Sequence, residues 1–134
     1  MRAWRLRVAT AIATIGATAG TVLSQGGSLT DSCRSSLASF ESAAEKINKY
    51  MNDETARLRS IAAQVSEQEA ERQRCEAWNY LDAEASQLLK QLEASKGRLV
   101  ACMNQGWYDE RYARWSRSSA NFRQWVAECQ SSAD

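Results

Sequence analysis

Apolar and small residues recur along most of this chain in alternating steps of four and three, and this spacing constrains the fold more than any other feature. One series begins at Cys33, a second at Cys75 and a third at Tyr108. Such steps place an apolar stripe along one side of a helix, as in a coiled-coil seam or a small helical bundle. Alternation with a period of two is absent, so the sequence predicts no sheet.

Each series skips at most one position over its main run. The first comprises Cys33, Leu37, Phe40, Ala44, Ile47, Met51, Leu58, Ile61 and Val65, and it skips Glu54. The second comprises Cys75, Trp78, Leu81, Ala85, Leu88, Leu92, Leu99 and Cys102, and it skips Ser95. The third comprises Tyr108, Tyr112, Trp115, Ser119, Phe122, Val126 and Cys129. Because proline is also absent, we predict an all-α fold, either a small antiparallel helical bundle or a long helical hairpin with coiled-coil-like seams.

The N-terminus has the pattern of a secretory signal peptide. Arg2, Arg5 and Arg7 precede an uncharged stretch, and the small residues Ala17 and Ala19 flank a candidate cleavage site. The stretch is rich in threonine, alanine and glycine, whereas a stable transmembrane helix needs about 20 strongly apolar residues. We therefore predict a signal peptide over residues 1–19, with a second candidate cleavage site after residue 24. Membrane association is expected only if this segment stays uncleaved.

The length of 134 residues suits one domain rather than two. Residues 20–29 are mostly small and polar, which predicts a flexible leader. The run Thr30-Asp31-Ser32 offers helix N-caps, so we predict a single helical domain over residues 30–134.

All four cysteines follow the predicted signal peptide. An even number of cysteines in a short exported chain predicts a disulfide framework, and hence a periplasmic or extracellular protein. The chain contains no histidine. Its cysteines are separated by 42, 27 and 27 residues and form no paired C-x-x-C motif, so we expect no metal site.

The positions of turn signals favour one of the three cysteine pairings. Disulfide-bonded residues in an antiparallel hairpin lie about equally far from its turn, because their Cα atoms lie within about 7 Å. Pairing Cys33 with Cys102 centres a turn near Ser66, which begins the capping-box sequence Ser66-x-x-Glu69. Pairing Cys75 with Cys129 centres a turn on Cys102. That turn lies between two predicted helix stops, and the stop signals are Lys96-Gly97 and Asn104-Gln105-Gly106.

Two other pairings remain open at this point. Pairing Cys33 with Cys75 moves the first turn to Asn52-Asp53, and it pairs Cys102 with Cys129 around Trp115. The last pairing needs a turn at Leu88-Leu89, where nothing breaks the helix. In the favoured scheme, Asp109 is expected to cap the last helix.

The sequence offers no catalytic or cofactor motif. Without histidine there is no Ser-His-Asp or Cys-His arrangement, and the acidic residues from Glu67 to Glu76 alternate with Arg72 and Arg74 as on a solvated helix face. The chain has 17 basic and 16 acidic residues, and 14 basic residues remain without the three arginines of residues 1–19. This balance argues against binding of nucleic acid. We predict no enzymatic activity and no cofactor.

The last third of the chain combines aromatic residues with arginines, which are enriched at protein interfaces. Tyr108, Tyr112, Trp115 and Phe122 lie on the apolar stripe and are expected in the core. Trp107 and Trp125 lie off the stripe, which predicts that they are exposed. The candidate partner-binding residues are therefore Trp107, Arg111, Arg114 and Trp125.

These features favour a non-enzymatic exported protein that binds another protein or a cell-envelope component, as an inhibitor, an immunity protein or an assembly partner does. One alternative is a membrane-anchored coiled-coil structural protein that retains residues 1–19. Another is a carrier of a small ligand between the aromatic helices.

Overall fold

The computed structural model describes residues 30–133, with side chains as far as residue 131. The predicted signal peptide and flexible leader, over residues 1–29, lie outside the described residues. The described range contains four helices and no strand: α1 (Asp31–Ile61), α2 (Glu67–Ala94), α3 (Lys96–Cys102) and α4 (Gln105–Ala133). The predicted all-α fold is confirmed, as an antiparallel bundle rather than a simple hairpin.

Side-chain caps define the first two long helices. The Oγ1 atom of Thr30 accepts a hydrogen bond from the backbone N–H of Cys33 at 3.1 Å and begins α1. Residues 62–65 form the turn after α1, and the Ser66 side chain then accepts from the Glu69 N–H at 3.0 Å. The first turn therefore lies beside the predicted capping box. The alternative turn site, Asn52-Asp53, lies inside α1.

The second reversal is made by α3 and the residues on either side of it. Helix α2 ends at Ala94, and Asn104 begins α4, because its Oδ1 atom accepts from the Trp107 N–H at 2.7 Å. The expected cap at Asp109 is wrong; that carboxylate accepts from the Gln105 side chain instead. The ends of α2 and α3 lie where the two stop signals were expected. Gly97 and Gly106, however, lie inside the helices that follow, and neither has the positive φ of a glycine that ends a helix.

Helix α2 forms the centre of the bundle. Helices α1 and α4 both pack along α2, and their backbones approach each other closely at few positions. They meet near α3, where the ring of Phe40 lies 5.8 Å from that of Trp107. Toward the α1–α2 turn, α4 packs on α2 through Trp125, whose ring centroid lies 4.5 Å from that of Trp78.

Two disulfides cross-link the helices. Cys33 is bonded to Cys102 with a Cα–Cα distance of 5.6 Å, and Cys75 to Cys129 with 5.8 Å. These are the pairs that the turn signals favoured. The first bond ties the start of α1 to α3, and the second ties α2 to α4 near the α1–α2 turn. Such bonds indicate a compartment outside the reducing cytosol.

Within residues 30–133, no helix combines the length and the apolar character needed to cross a membrane.

Candidate functional site

The apolar stripe of α1 is covered over only part of its length. Its members from Cys33 to Met51 are buried, but Leu58, Ile61 and Val65 are only half-buried. Helix α4 packs against α2 near this end of the bundle through Trp125. Among the described residues, the second half of α1 is therefore less covered than its first half, and part of its stripe lines open space.

This open space is a groove of 280 Å³ between α1 and α2, which we call the α1–α2 groove. It is lined by Met51, Glu54, Thr55, Leu58, Arg59 and Ala62 of α1 and by Arg74, Ala77, Trp78 and Leu81 of α2. None of the described lining residues comes from α4. The groove therefore lies on the side of the α1–α2 pair that a third helix of a closed bundle normally covers.

The floor of the groove is apolar and firmly held. Met51, Trp78 and Leu81 are each at most 4% exposed. Trp78 also packs against Phe122 and Trp125 of α4. The indole Nε1 of Trp78 is buried and has no hydrogen-bond partner among the described residues. The floor is therefore a fixed apolar surface.

The rim of the groove carries charged residues with different surroundings. The guanidinium of Arg57 donates to both carboxylate oxygens of Glu54 at 2.7 to 3.2 Å and to the Gln73 side chain at 2.6 Å. The hydrogen bond to Glu54 raises the pKa of Arg57 above its usual range. Arg59 is exposed in the last turn of α1, and no described residue forms an ion pair or a hydrogen bond with its side chain.

The tryptophans expected on the surface are buried, so that expectation is wrong. Trp107 is 6% exposed and packs against Phe40, while Trp125 is 4% exposed and packs against Trp78. The prediction assumed that the last helix packs against one neighbour through one apolar stripe. In the structure, α4 buries Trp107 against α1 and Trp125 against α2. The two rings are 18 residues apart on α4, which is about 27 Å, so they do not form one patch.

The two candidate arginines lie near Trp107 and are already engaged. The guanidinium of Arg111 lies 4.6 Å from the centre of the Trp107 ring and is mostly buried. Burial lowers the pKa of Arg111, and burial also raises the pKa of the nearby Glu41 carboxyl. Arg114 pairs with Glu110 at 2.6 Å. Trp107 and Arg111 are therefore buried together, whereas Arg114 is partly exposed and paired with Glu110.

The acidic run on α2 is an exposed helix face. Arg72 pairs with Glu69 at 2.6 Å and also with Glu76, and the hydrogen bond from Arg72 lowers the pKa of Glu69 to about 2. Among residues 30–133, no cluster of three or more histidine, cysteine, aspartate or glutamate side chains is placed to hold a metal ion.

The sequence analysis did not predict the α1–α2 groove, although one feature of the sequence coincides with it. The first apolar series is interrupted at Glu54, and the groove opens beside that residue. A stripe reports that a helix face is apolar, but it does not report how many neighbours cover that face.

No protein-family model, curated protein or solved structure matches this chain. A functional hypothesis therefore depends on the residues and geometry described above.

Proposed function

We propose that this chain is a non-enzymatic exported protein that binds another protein or a cell-envelope component through the α1–α2 groove. The observation that carries the proposal is the α1–α2 groove, in which the half-buried Leu58 and the exposed Ala62 lie beside a buried floor of Met51, Trp78 and Leu81. Covering such a surface removes apolar area from water and is therefore favourable. Concave apolar sites with a few polar groups are the usual form of binding sites.

The scaffold supports this function because it is cross-linked close to the groove. The Cys75–Cys129 bond joins α2 to α4 three residues before Trp78, a residue of the groove floor. A preorganised site loses less conformational entropy on binding than a flexible one. Inhibitors, immunity proteins and assembly partners all use rigid surfaces of this kind.

A small-ligand carrier is the second candidate, and the concave apolar floor of the groove is the observation that favours it. Small-molecule sites have volumes of about 300–1,000 Å³, and the groove, at 280 Å³, lies just below that range. The membrane-anchored alternative depends on residues 1–19, which lie outside the described residues.

Affinity capture with matched variants tests the proposal. The mature protein is used as bait against the envelope fraction of its native host, beside the variants Leu58→Asp and Ala83→Asp. Leu58 lines the groove, whereas Ala83 is exposed on α2 outside it. We expect the wild type and Ala83→Asp to retain one stoichiometric partner and Leu58→Asp to lose it.

Other outcomes point to the alternatives. A small molecule detected in the purified protein by native mass spectrometry, without a protein partner, would favour the carrier. Recovery only in detergent, with Met1 intact, would favour the membrane-anchored protein. A partner retained equally by all three baits would remove the groove from the proposal.

A further inference from the structure

The walls of the α1–α2 groove have the spacing that a third helix requires. The α1 wall consists of Met51, Thr55, Leu58 and Ala62, which follow one another in steps of four, three and four along one helix face. Two helices with apolar faces turned to a common gap form the groove into which a third helix packs. The span from Met51 to Ala62 is 11 residues, or about 16 Å, which matches three turns of an occupying helix.

The volume also favours a helix over a separate small molecule. At 280 Å³, the groove is smaller than most sites that enclose a drug-sized ligand. It suits two large side chains that enter from a helix lying along the opening. Recognition of this kind depends on anchors at positions i and i+3, i+4 or i+7 of the bound helix.

An exposed charged side chain at the groove indicates which polar group an occupant would carry beside its apolar side chains. The Arg59 side chain is exposed and has no ion-pair or hydrogen-bond partner among the described residues. A guanidinium donates charge-assisted hydrogen bonds, so an occupant with a carboxylate complements Arg59. Arg59 lies eight residues after Met51, or about 12 Å along α1, so the acidic group lies two turns from the deepest anchor.

We infer that the groove binds an amphipathic helix of a partner protein, with two large aliphatic side chains against the floor and an acidic side chain at Arg59. This inference rests on the proposed function and adds the chemistry and direction of the partner. The acidic end of the bound helix points toward the α1–α2 turn.

A titration with designed peptides tests the inference on the mature, disulfide-bonded protein. The probe is a side-chain-bridged helical peptide of about 16 residues, because shorter free helices are marginal in water. It carries two leucines four residues apart and a glutamate about seven residues after the first leucine, and a matched peptide carries lysine at that position. The readout is the indole N–H resonance of Trp78 in ¹H–¹⁵N spectra. We expect the glutamate peptide to shift it, with the lysine peptide binding about fivefold or more weakly.

A charge-reversal variant tests whether Arg59 recognises the acidic side chain of the peptide. In Arg59→Glu the preference is expected to reverse, so that the lysine peptide binds more tightly than the glutamate peptide. Arg98→Glu is the matched control, because Arg98 is exposed on α3 and does not line the groove. We expect Arg98→Glu to keep the wild-type preference.

Three results would overturn the inference. The first is no shift of the Trp78 resonance with either peptide, and the second is an unchanged preference in Arg59→Glu. The third is a shift produced by dodecanoate and not by the peptides, which would make the groove a site for an apolar anion. The capture experiment separates this failure from failure of the proposed function. A captured partner that depends on Leu58, combined with unresponsive peptides, would leave the proposed function standing and remove only the helix assignment.

Discussion

The large aromatic side chains of α4 face two neighbouring helices instead of one. Trp107 contacts Phe40 of α1, whereas Trp125 contacts Trp78 of α2, and Trp115 between them is 1% exposed. An aromatic side chain buries about 150–250 Å², so each of these residues contributes strongly to the stability of the bundle. Truncating any of them leaves a cavity in addition to the lost apolar contact.

Trp125→Ala is therefore expected to reduce the free energy of unfolding by about 3–5 kcal/mol, as is Trp115→Ala. Denaturant unfolding of the mature, disulfide-bonded protein measures both. Leu58→Ala is the control, with a smaller expected loss, because Leu58 is only half-buried. A loss below about 1 kcal/mol for Trp125→Ala would contradict the burial of this ring.

Glu69 provides a pH-dependent contribution at the start of α2. The hydrogen bond from Arg72 lowers the pKa of Glu69 from 4.5 to about 2. Because the folded-state pKa is the lower one, this stabilisation is present above pH 4.5 and is lost as the pH falls toward 2. A ¹³C titration is expected to show the Glu69 carboxyl midpoint at about 2, rising toward 4.5 in Arg72→Gln. An identical midpoint in both proteins would remove Arg72 as the cause.

At the scale of the helices, the arrangement depends on which faces α2 offers to its neighbours. Helix α1 packs on one face of α2, where the rings of Tyr50 and Tyr80 lie 4.1 Å apart. Helix α4 packs on another face, through Trp78. Among the described residues, α1 and α4 meet near α3 through Phe40 and Trp107, whereas the bundle is open along the α1–α2 groove at the other end, where no described lining residue comes from α4.

Cys75→Ser/Cys129→Ser is expected to loosen the open end selectively. The bond spans 54 residues, and losing it is expected to reduce the free energy of unfolding by about 4 kcal/mol in the chain-entropy model. Hydrogen exchange is expected to become faster in the C-terminal half of α4 and around Trp78. In Cys33→Ser/Cys102→Ser, the faster exchange is expected at the start of α1 instead. The same exchange pattern in both variants would contradict separate roles for the two bonds.

The helices and their connections are largely predictable from the sequence, because they depend on local signals. The four-and-three stripes indicate the helices, Ser66 marks the first turn through its cap, and the cysteine spacing agrees with that turn. The burial of Trp107 and Trp125 was not predictable in this way, because it depends on two neighbours of α4 on different faces. The α1–α2 groove depends on how many of the described helices cover α1, and a single stripe contains no information about that number.

At the scale of the whole molecule, the disulfides and the N-terminal pattern agree on a compartment outside the cytosol. The disulfides belong to the described structure, whereas cleavage of the signal peptide remains a prediction from the sequence. Intact-mass spectrometry of protein from its native host is expected to show a chain that begins at Gly20 or Gln25. An intact Met1 in a cytosolic fraction would contradict export.

Photo-crosslinking in the native host tests the central claim, binding through the α1–α2 groove, most directly. A photoreactive phenylalanine analogue is placed at Ala62, which lines the groove and is exposed, or at Ala83, which is exposed outside it. We predict a single crosslinked adduct from position 62, its loss when Leu58→Asp is added, and no adduct from position 83. An adduct from position 83 with none from position 62 would contradict the claim.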